Sequence, residues 1–352
     1  AHPQALQRVE IPSSFNPVGS GARALGMGGA FIARADDATA ASWNPGGLYQ
    51  LKKPEISCVG AIINREEDNR FATNPEADGR ERISNAAINY MSAVYPFQPL
   101  PRGQRLIVSA NYQRLYDMRR SWRFPLRQSA EDLNLAQDVD YRQTGALTAL
   151  GLSLGTQLTP YDKKKKWGLI GVGVTLNIWD AGYNENQWEQ RTRQTGSGTL
   201  GTNDFVFTAS SLDRYTLRGI NANIGIHWRA PGGSTKHRFH VGIVYKTALK
   251  ADLVHRSHFE SDLQYPDQPS ADSSNAIATK TDEVLELPST IGLGLAWEPR
   301  PRQTVVTLDV YRTDWGDFVL EDDNGYRTSP ISGKPIGDAD IDPTYPARMG
   351  FQ

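Results

Sequence analysis

From Ala146 to Leu158 the chain alternates. Ala146, Thr148, Leu150, Leu152, Leu154, Thr156 and Leu158 fall on one side, and Leu147, Ala149, Gly151, Ser153, Gly155 and Gln157 on the other. Period two predicts a strand. The next run repeats it: Ile170, Val172, Val174, Leu176 and Ile178 oppose Gly171, Gly173, Thr175 and Asn177. Further strands are predicted at 220–228, 239–245, 291–297 and 306–310, with less regular ones at 55–64, 86–97 and 105–116. That makes nine, and a tenth begins near Tyr345–Phe351.

The connections carry as much information. Short links lie near 98–104, 159–166, 230–236 and 299–303; long polar links lie near 65–84, 117–143, 180–213, 251–286 and 317–345. Structureless loops that long are uncommon in compact domains. Short and long links that alternate predict an all-β fold, a transmembrane antiparallel β-barrel with tight turns on one rim and long external loops on the other. The second face of each strand is rich in Gly, Asn, Ser and Thr rather than Lys and Glu. Trp167, Trp179, Trp228, Trp297, Trp315, Tyr95 and Phe97 sit at strand ends, as interfacial girdles do.

Composition narrows the classes. A formal net charge of −1 over 352 residues gives no basis for a nucleic-acid surface. No run of 18 apolar residues is present, which excludes a helical membrane protein but not a barrel. The single cysteine, Cys58, precludes an internal disulfide and reads as a small buried apolar residue, with a reactive thiol as the alternative. The start, Ala1-His2-Pro3-Gln4, looks like a mature terminus, though a cloned fragment would look the same. The tenth strand ends before it reaches the roughly 9–11 residues a membrane crossing takes, so the sequence is expected to be incomplete at its C-terminus. Six histidines are scattered without HExxH; the spacings at His237, His240, His255 and His258 are read as chance, so no metal, cofactor or enzymatic activity is expected. Gly26-Met27-Gly28-Gly29 lacks the Gly-Lys-Ser/Thr of a phosphate loop.

One segment breaks the strand pattern. Gly19–Leu48 is rich in small residues and ends in Asn44-Pro45-Gly46-Gly47. Its motifs Gly21–Phe31, Ala35–Ala40 and Trp43–Leu48 resemble the N-terminal signature of the long-chain fatty acid transporter family of outer-membrane proteins (the FadL superfamily). Leu287–Gly294 and Leu308–Trp315 resemble two late strands of that family. Alanine usually follows Asn-Pro in the family, whereas Gly46-Gly47 stand here. The family's barrels have fourteen strands, of which nine to ten are present. The resemblance implies a hatch over residues 1–50 inside a barrel over 51–352. Arg23, Gly26, Gly28, Gly29, Asp36, Asp37, Asn44 and Pro45 would form the hatch motif, the glycines turning tightly and packing on the wall. It implies a monomer in the outer membrane of a Gram-negative-type envelope, among lipid and lipopolysaccharide. It further implies passive passage of a fatty-acid-like or hydrocarbon ligand, with sideways exit at a kinked strand. The alternatives are a non-transporting barrel that serves as scaffold or shuttle in a surface or secretion assembly, and a soluble all-β binding module.

Two groups of residues are candidate ligand contacts. Arg238, His240, Lys246 and Lys250 are expected on one lumen face, facing a ligand carboxylate or pairing with the hatch acids or neighbouring lumen Asp and Glu. Arg119, Arg120 and Arg123, interleaved with Trp122 and Phe124, are expected in an external loop, as a landing patch for amphipaths, a solvated loop or a contact to lipopolysaccharide phosphates. Lys163–Lys166 reads as a solvated periplasmic turn.

Overall fold

The computed structural model describes residues 16–17, 19–70, 74–100, 104–130, 132–159, 164–183, 185–231, 237–300 and 304–352. Of the short links expected near 98–104, 159–166, 230–236 and 299–303, residues 101–103, 160–163, 232–236 and 301–303 lie outside the described residues, as does the start of the chain. Strand segments run in chain order: β1 (Asn16–Pro17), β2 (Glu55–Asn69), β3 (Gly79–Leu100), β4 (Gln104–Asp117), β5 (Arg120–Ala130), β6 (Leu133–Gln157), β7 (Leu169–Asp180), β8 (Gln187–Leu200) and β9 (Asn203–Arg229). Then come β10 (Arg238–Lys246), β11 (Leu249–Gln264), β12 (Ser273–Leu287), β13 (Thr290–Arg300), β14 (Thr304–Thr313), β15 (Val319–Glu321), β16 (Arg327–Thr328) and β17 (Ala347–Phe351). Helical pieces are short, and no helix among the described residues is long and apolar enough to cross a membrane.

The sheet has two storeys. The lower is an antiparallel meander in the order β2–β3–β4–β6–β7–β9–β10–β13–β14–β17. These are the nine strands and the partial tenth that the alternation predicts. The upper storey joins β5–β6–β8–β9–β11–β12. An antiparallel sheet of this kind is consistent with a β-barrel; among the described residues no ladder joins β17 to β2.

The upper storey corrects the expectation of long loops. Residues 117–143, 180–213 and 251–286 are mostly paired hairpins, and β2 and β3 extend likewise through much of 65–84. Only 317–345 is largely irregular. Here the outward side is mostly charged or small, with a few aliphatics such as Val206, so apolar alternation thins to a few inward aromatics. Trp122, Phe124, Val139 and Tyr141 form one buried cluster; Phe205, Phe207 and Leu263 belong to another.

The lower storey inverts the polarity of a water-soluble protein. Its outward side is apolar and exposed, with Leu152 at 56%, Ile220 at 59% and Ile62 at 77% of full exposure. Its inward side is polar and buried, with Ser153, Asn177, Asn223, His227 and Asp309 each at 2–3% exposure or less. Cys58 lies on the outward side between Ile56 and Ile62. It is exposed, which corrects the reading of a buried residue.

Residues 19–51 pack against the inward side. Tyr90 Oη on β3 donates to the Ala38 carbonyl at 2.8 Å, and Thr175 Oγ1 on β7 to the Ala41 carbonyl at 2.8 Å. Asp309 Oδ2 on β14 accepts from the amides of Phe31 and Ile32 at 2.7 and 2.8 Å. Anchors this far apart in the strand order mean that the sheet curls around the segment, whose Phe31, Ile32 and Leu48 side chains have no solvent exposure.

Candidate ligand-binding site

The segment is held by charge and by close approach. Arg23 pairs with Asp36 at 2.5 Å and Asp37 at 3.5 Å. Asp37 also accepts from the Thr39 amide and hydroxyl. Asn44 Oδ1 accepts from the Gly46 amide at 3.0 Å, while its Nδ2 donates to the carbonyls of Ile32 and, across to the wall, Ile226. Pro45 opens the 3-10 turn Pro45–Gln50. Gly28 and Gly29 turn the chain at φ 62° and 75°, a region glycine adopts without strain. A Cβ at Gly26 would meet nothing within 4 Å, so the close packing expected there does not occur. Gly46 explains the departure from Asn-Pro-Ala: a Cβ there would stand 2.7 Å from the Gly225 backbone.

Below this segment's charges runs a buried network that sequence reading missed in part. Arg34 pairs with Glu298 on β13 and with Asp36 at 3.2 Å. His240 stands 3.4 Å from Glu298 and 3.3 Å from His227, whose other partners are Tyr49 Oη and the Ala33 carbonyl. His240 thus bridges two wall residues that each hold the segment, His227 through Tyr49 and Ala33 and Glu298 through Arg34, and Arg238 flanks the same Glu298 at 3.8 Å. Glu298 and Asp309 had a legible signal: they are carboxylates at inward positions of strands otherwise lined by uncharged residues such as Gly294, Ala296, Thr307 and Tyr311.

Lys246 differs from its neighbours. It ends the inward row of β10, cross-strand from Asn223 and Thr290. Around it the wall presents amides that bond one another: Gln113 donates to Asn177 at 2.9 Å, and Asn177 donates to Asn221 at 3.1 Å. Among the described residues no carboxylate lies within ion-pair distance of the Lys246 ammonium. Lys246 lines a cavity of about 90 Å³ with those amides on one side and Leu115, Tyr116, Trp179, Leu249 and Leu287 on the other. Trp179, Leu249 and Leu287 continue into a buried apolar cluster with Met118, Leu147 and Leu285. A cation, amide donors and an apolar wall converge in one space.

The remaining expected contacts lie elsewhere. After the break at Thr247–Ala248, Lys250 faces outward, 69% exposed, and pairs with Glu286 at 3.1 Å. Trp122 and Phe124 are buried on β5 rather than displayed on a loop. Arg119 stands 3.6 Å from Asp117, Arg120 2.8 Å from Glu67, and Arg123 2.9 Å from Asp140. The hairpin thus turns its aromatics inward, away from the exposed Arg123. Of the expected turn cations, Lys164–Trp167 form one helical turn. Among the described residues no three His, Cys, Asp or Glu side chains are grouped to hold a metal ion. His255 is gripped in the upper storey by Asp213 at 3.0 Å and Glu283 at 3.1 Å, and stacks on Tyr215 at 4.2 Å. Burial opposes its charge, but the hydrogen bonds and charges of both carboxylates outweigh that and raise its pKa to about 9.

No family model matches the chain. No curated protein matches it either. Among solved structures it is similar to the CymD monoaromatic hydrocarbon channel, at 11% identity over 96% of this chain and 97% of that one, with a TM-score of 0.25. At that score the likeness does not establish a shared fold.

Proposed function

We propose that this chain forms an outer-membrane β-barrel that passes small amphipathic molecules, with residues 19–51 as a hatch in its lumen. The membrane reading is supported by the apolar outward side of the lower storey. Water would penalise such a belt, and hydrocarbon would not. The hatch reading is supported by anchors from opposite spans, since irregular backbone at membrane depth is tolerated only inside protein or against water.

The observation that carries the ligand class is Lys246. An ammonium placed among amides without an acid leaves room for a bound carboxylate, which would form a charge-assisted hydrogen bond there. The cavity holds a head group and the first part of a tail, and the apolar cluster above it takes the rest after rearrangement. Passage is passive, and sideways exit would use a gap in the wall.

The test is equilibrium binding of a medium-chain fatty acid and its methyl ester to the purified chain in detergent, read by Trp179 fluorescence or calorimetry. The acid binds about tenfold or more tightly than the ester. Lys246→Gln removes that preference and leaves ester binding in place. Equal binding of acid and ester by the native chain contradicts the ligand class. Absence of either favours a non-transporting scaffold.

A further inference from the structure

The outward side of the upper storey carries cations directly opposite one another. Arg142 on β6 is cross-strand from Arg191 on β8. One row lower, Glu189 on β8, Arg214 on β9, Arg256 on β11 and Lys280 on β12 are successive cross-strand neighbours. All five cations are exposed on the same side. Like charges directly opposite destabilise an antiparallel pair. Three such oppositions occur here: Arg142 with Arg191, Arg214 with Arg256, and Arg256 with Lys280.

The local acids do not cancel them. Glu189 is shared by Arg191 at 3.2 Å and Arg214 at 2.9 Å, and Lys280 pairs with Asp282 at 3.4 Å. Among the described residues Arg142 and Arg256 have no carboxylate within 4 Å. At one end of the band a groove of about 340 Å³ opens, lined by Asp140, Arg142, Thr144, Glu189, Arg191 and Arg193. It offers guanidinium forks for an anion, with a hydroxyl and carboxylates that suit sugar hydroxyls.

Height selects the occupant. On β9, Arg214 lies six positions from Ile220 at the top of the apolar belt. Six residues of strand span roughly 20 Å, or about 14 Å of height at the usual barrel tilt. The polar zone of a bilayer is only about 5–8 Å thick on each side. The band therefore stands above glycerophosphate level, where a lipid reaches only with a phosphorylated saccharide head.

We propose that this outward band binds the phosphorylated saccharide headgroup of an outer-leaflet glycolipid, with Arg142, Arg191, Arg214, Arg256 and Lys280 as its cations. The site rests on the outer-membrane reading above, but not on the ligand chosen by Lys246. Phosphate oxygens between opposed guanidinium groups turn repulsion into bidentate, charge-assisted pairing.

The test compares the full native chain in detergent with the double variant Arg142→Gln, Arg256→Gln. Each is titrated with lipopolysaccharide, enzymatically dephosphorylated lipopolysaccharide, phosphatidylglycerol micelles and inorganic phosphate, with bound lipid counted by native mass spectrometry. The native chain binds lipopolysaccharide, and the double variant binds it about a hundredfold less, roughly tenfold per arginine. Fatty acid binding is unchanged. Without glycolipid the variant melts no lower than the native chain, because the opposed charges are gone. Equal binding by both chains overturns the proposal, as does equal binding of the dephosphorylated form. Saturation by phosphatidylglycerol or phosphate alone marks a general anion site and also overturns it. A native chain that stays monodisperse without detergent defeats the membrane reading itself, a different failure from a barrel that ignores glycolipid.

Discussion

Lys246 combines two demands that conflict. An ammonium enclosed without a partner destabilises the empty protein. Lys246→Met therefore raises the stability of the ligand-free chain by about 1–3 kcal/mol while removing the preference for a carboxylate. Denaturant unfolding without ligand checks the first effect, and a lower midpoint for the variant counts against it. His255 makes the opposite case, a cation held by two acids. A pKa raised from the ordinary 6.5 to about 9 means that protonation stabilises the fold. The contribution is full below pH 6.5 and fades as pH rises through 9. On going from pH 6.5 to 9.5 the native chain should lose about 2–5 °C more melting temperature than His255→Gln. Parallel pH profiles for the two chains would contradict the assignment.

At the scale of elements, the lower strands were legible because the outward side alternates without interruption. The hairpins above were not, because their outward positions carry Arg, Asp and Thr, the residues also found in loops. Trp122, Phe124 and Leu126 hold the period-two signal, as do Phe205, Phe207 and Ala209, but each run is only three positions long. The N-terminal segment was legible as irregular and small. Its seat was not, since the contacts that fix it are long-range, as at Gly225 and Asp309. Wall glycines supply the space: a Cβ at Gly242 would stand 2.6 Å from the Ile32 carbonyl. Gly242→Val overfills that contact and destabilises by about 1–3 kcal/mol. Asp309→Ala strands two buried amides at a similar magnitude. Both variants should expose Arg23 and Arg34 to trypsin in the otherwise folded chain. A digestion pattern equal to the native one contradicts the packing.

At the scale of the molecule, function follows from which side of the sheet meets which solvent. Composition could exclude membrane helices but could not separate a barrel from a sandwich. Alternation favoured the barrel, because the second side is Gly, Asn, Ser and Thr. Neither revealed that the polar links are walls, or that Lys246 alone of the four expected lumen residues faces a cavity without an acid. The most direct test of the central claim uses Cys58, which sits on the outward side of β2 between Ile56 and Ile62. The chain is reconstituted in lipid bilayers, and Cys58 carries a nitroxide label. Electron spin resonance then compares relaxation by dissolved oxygen with relaxation by a polar nickel chelate. The account predicts strong relaxation by oxygen and little by the chelate, as for a site in hydrocarbon. Strong relaxation by the chelate in intact bilayers would place this face in water and contradict the account.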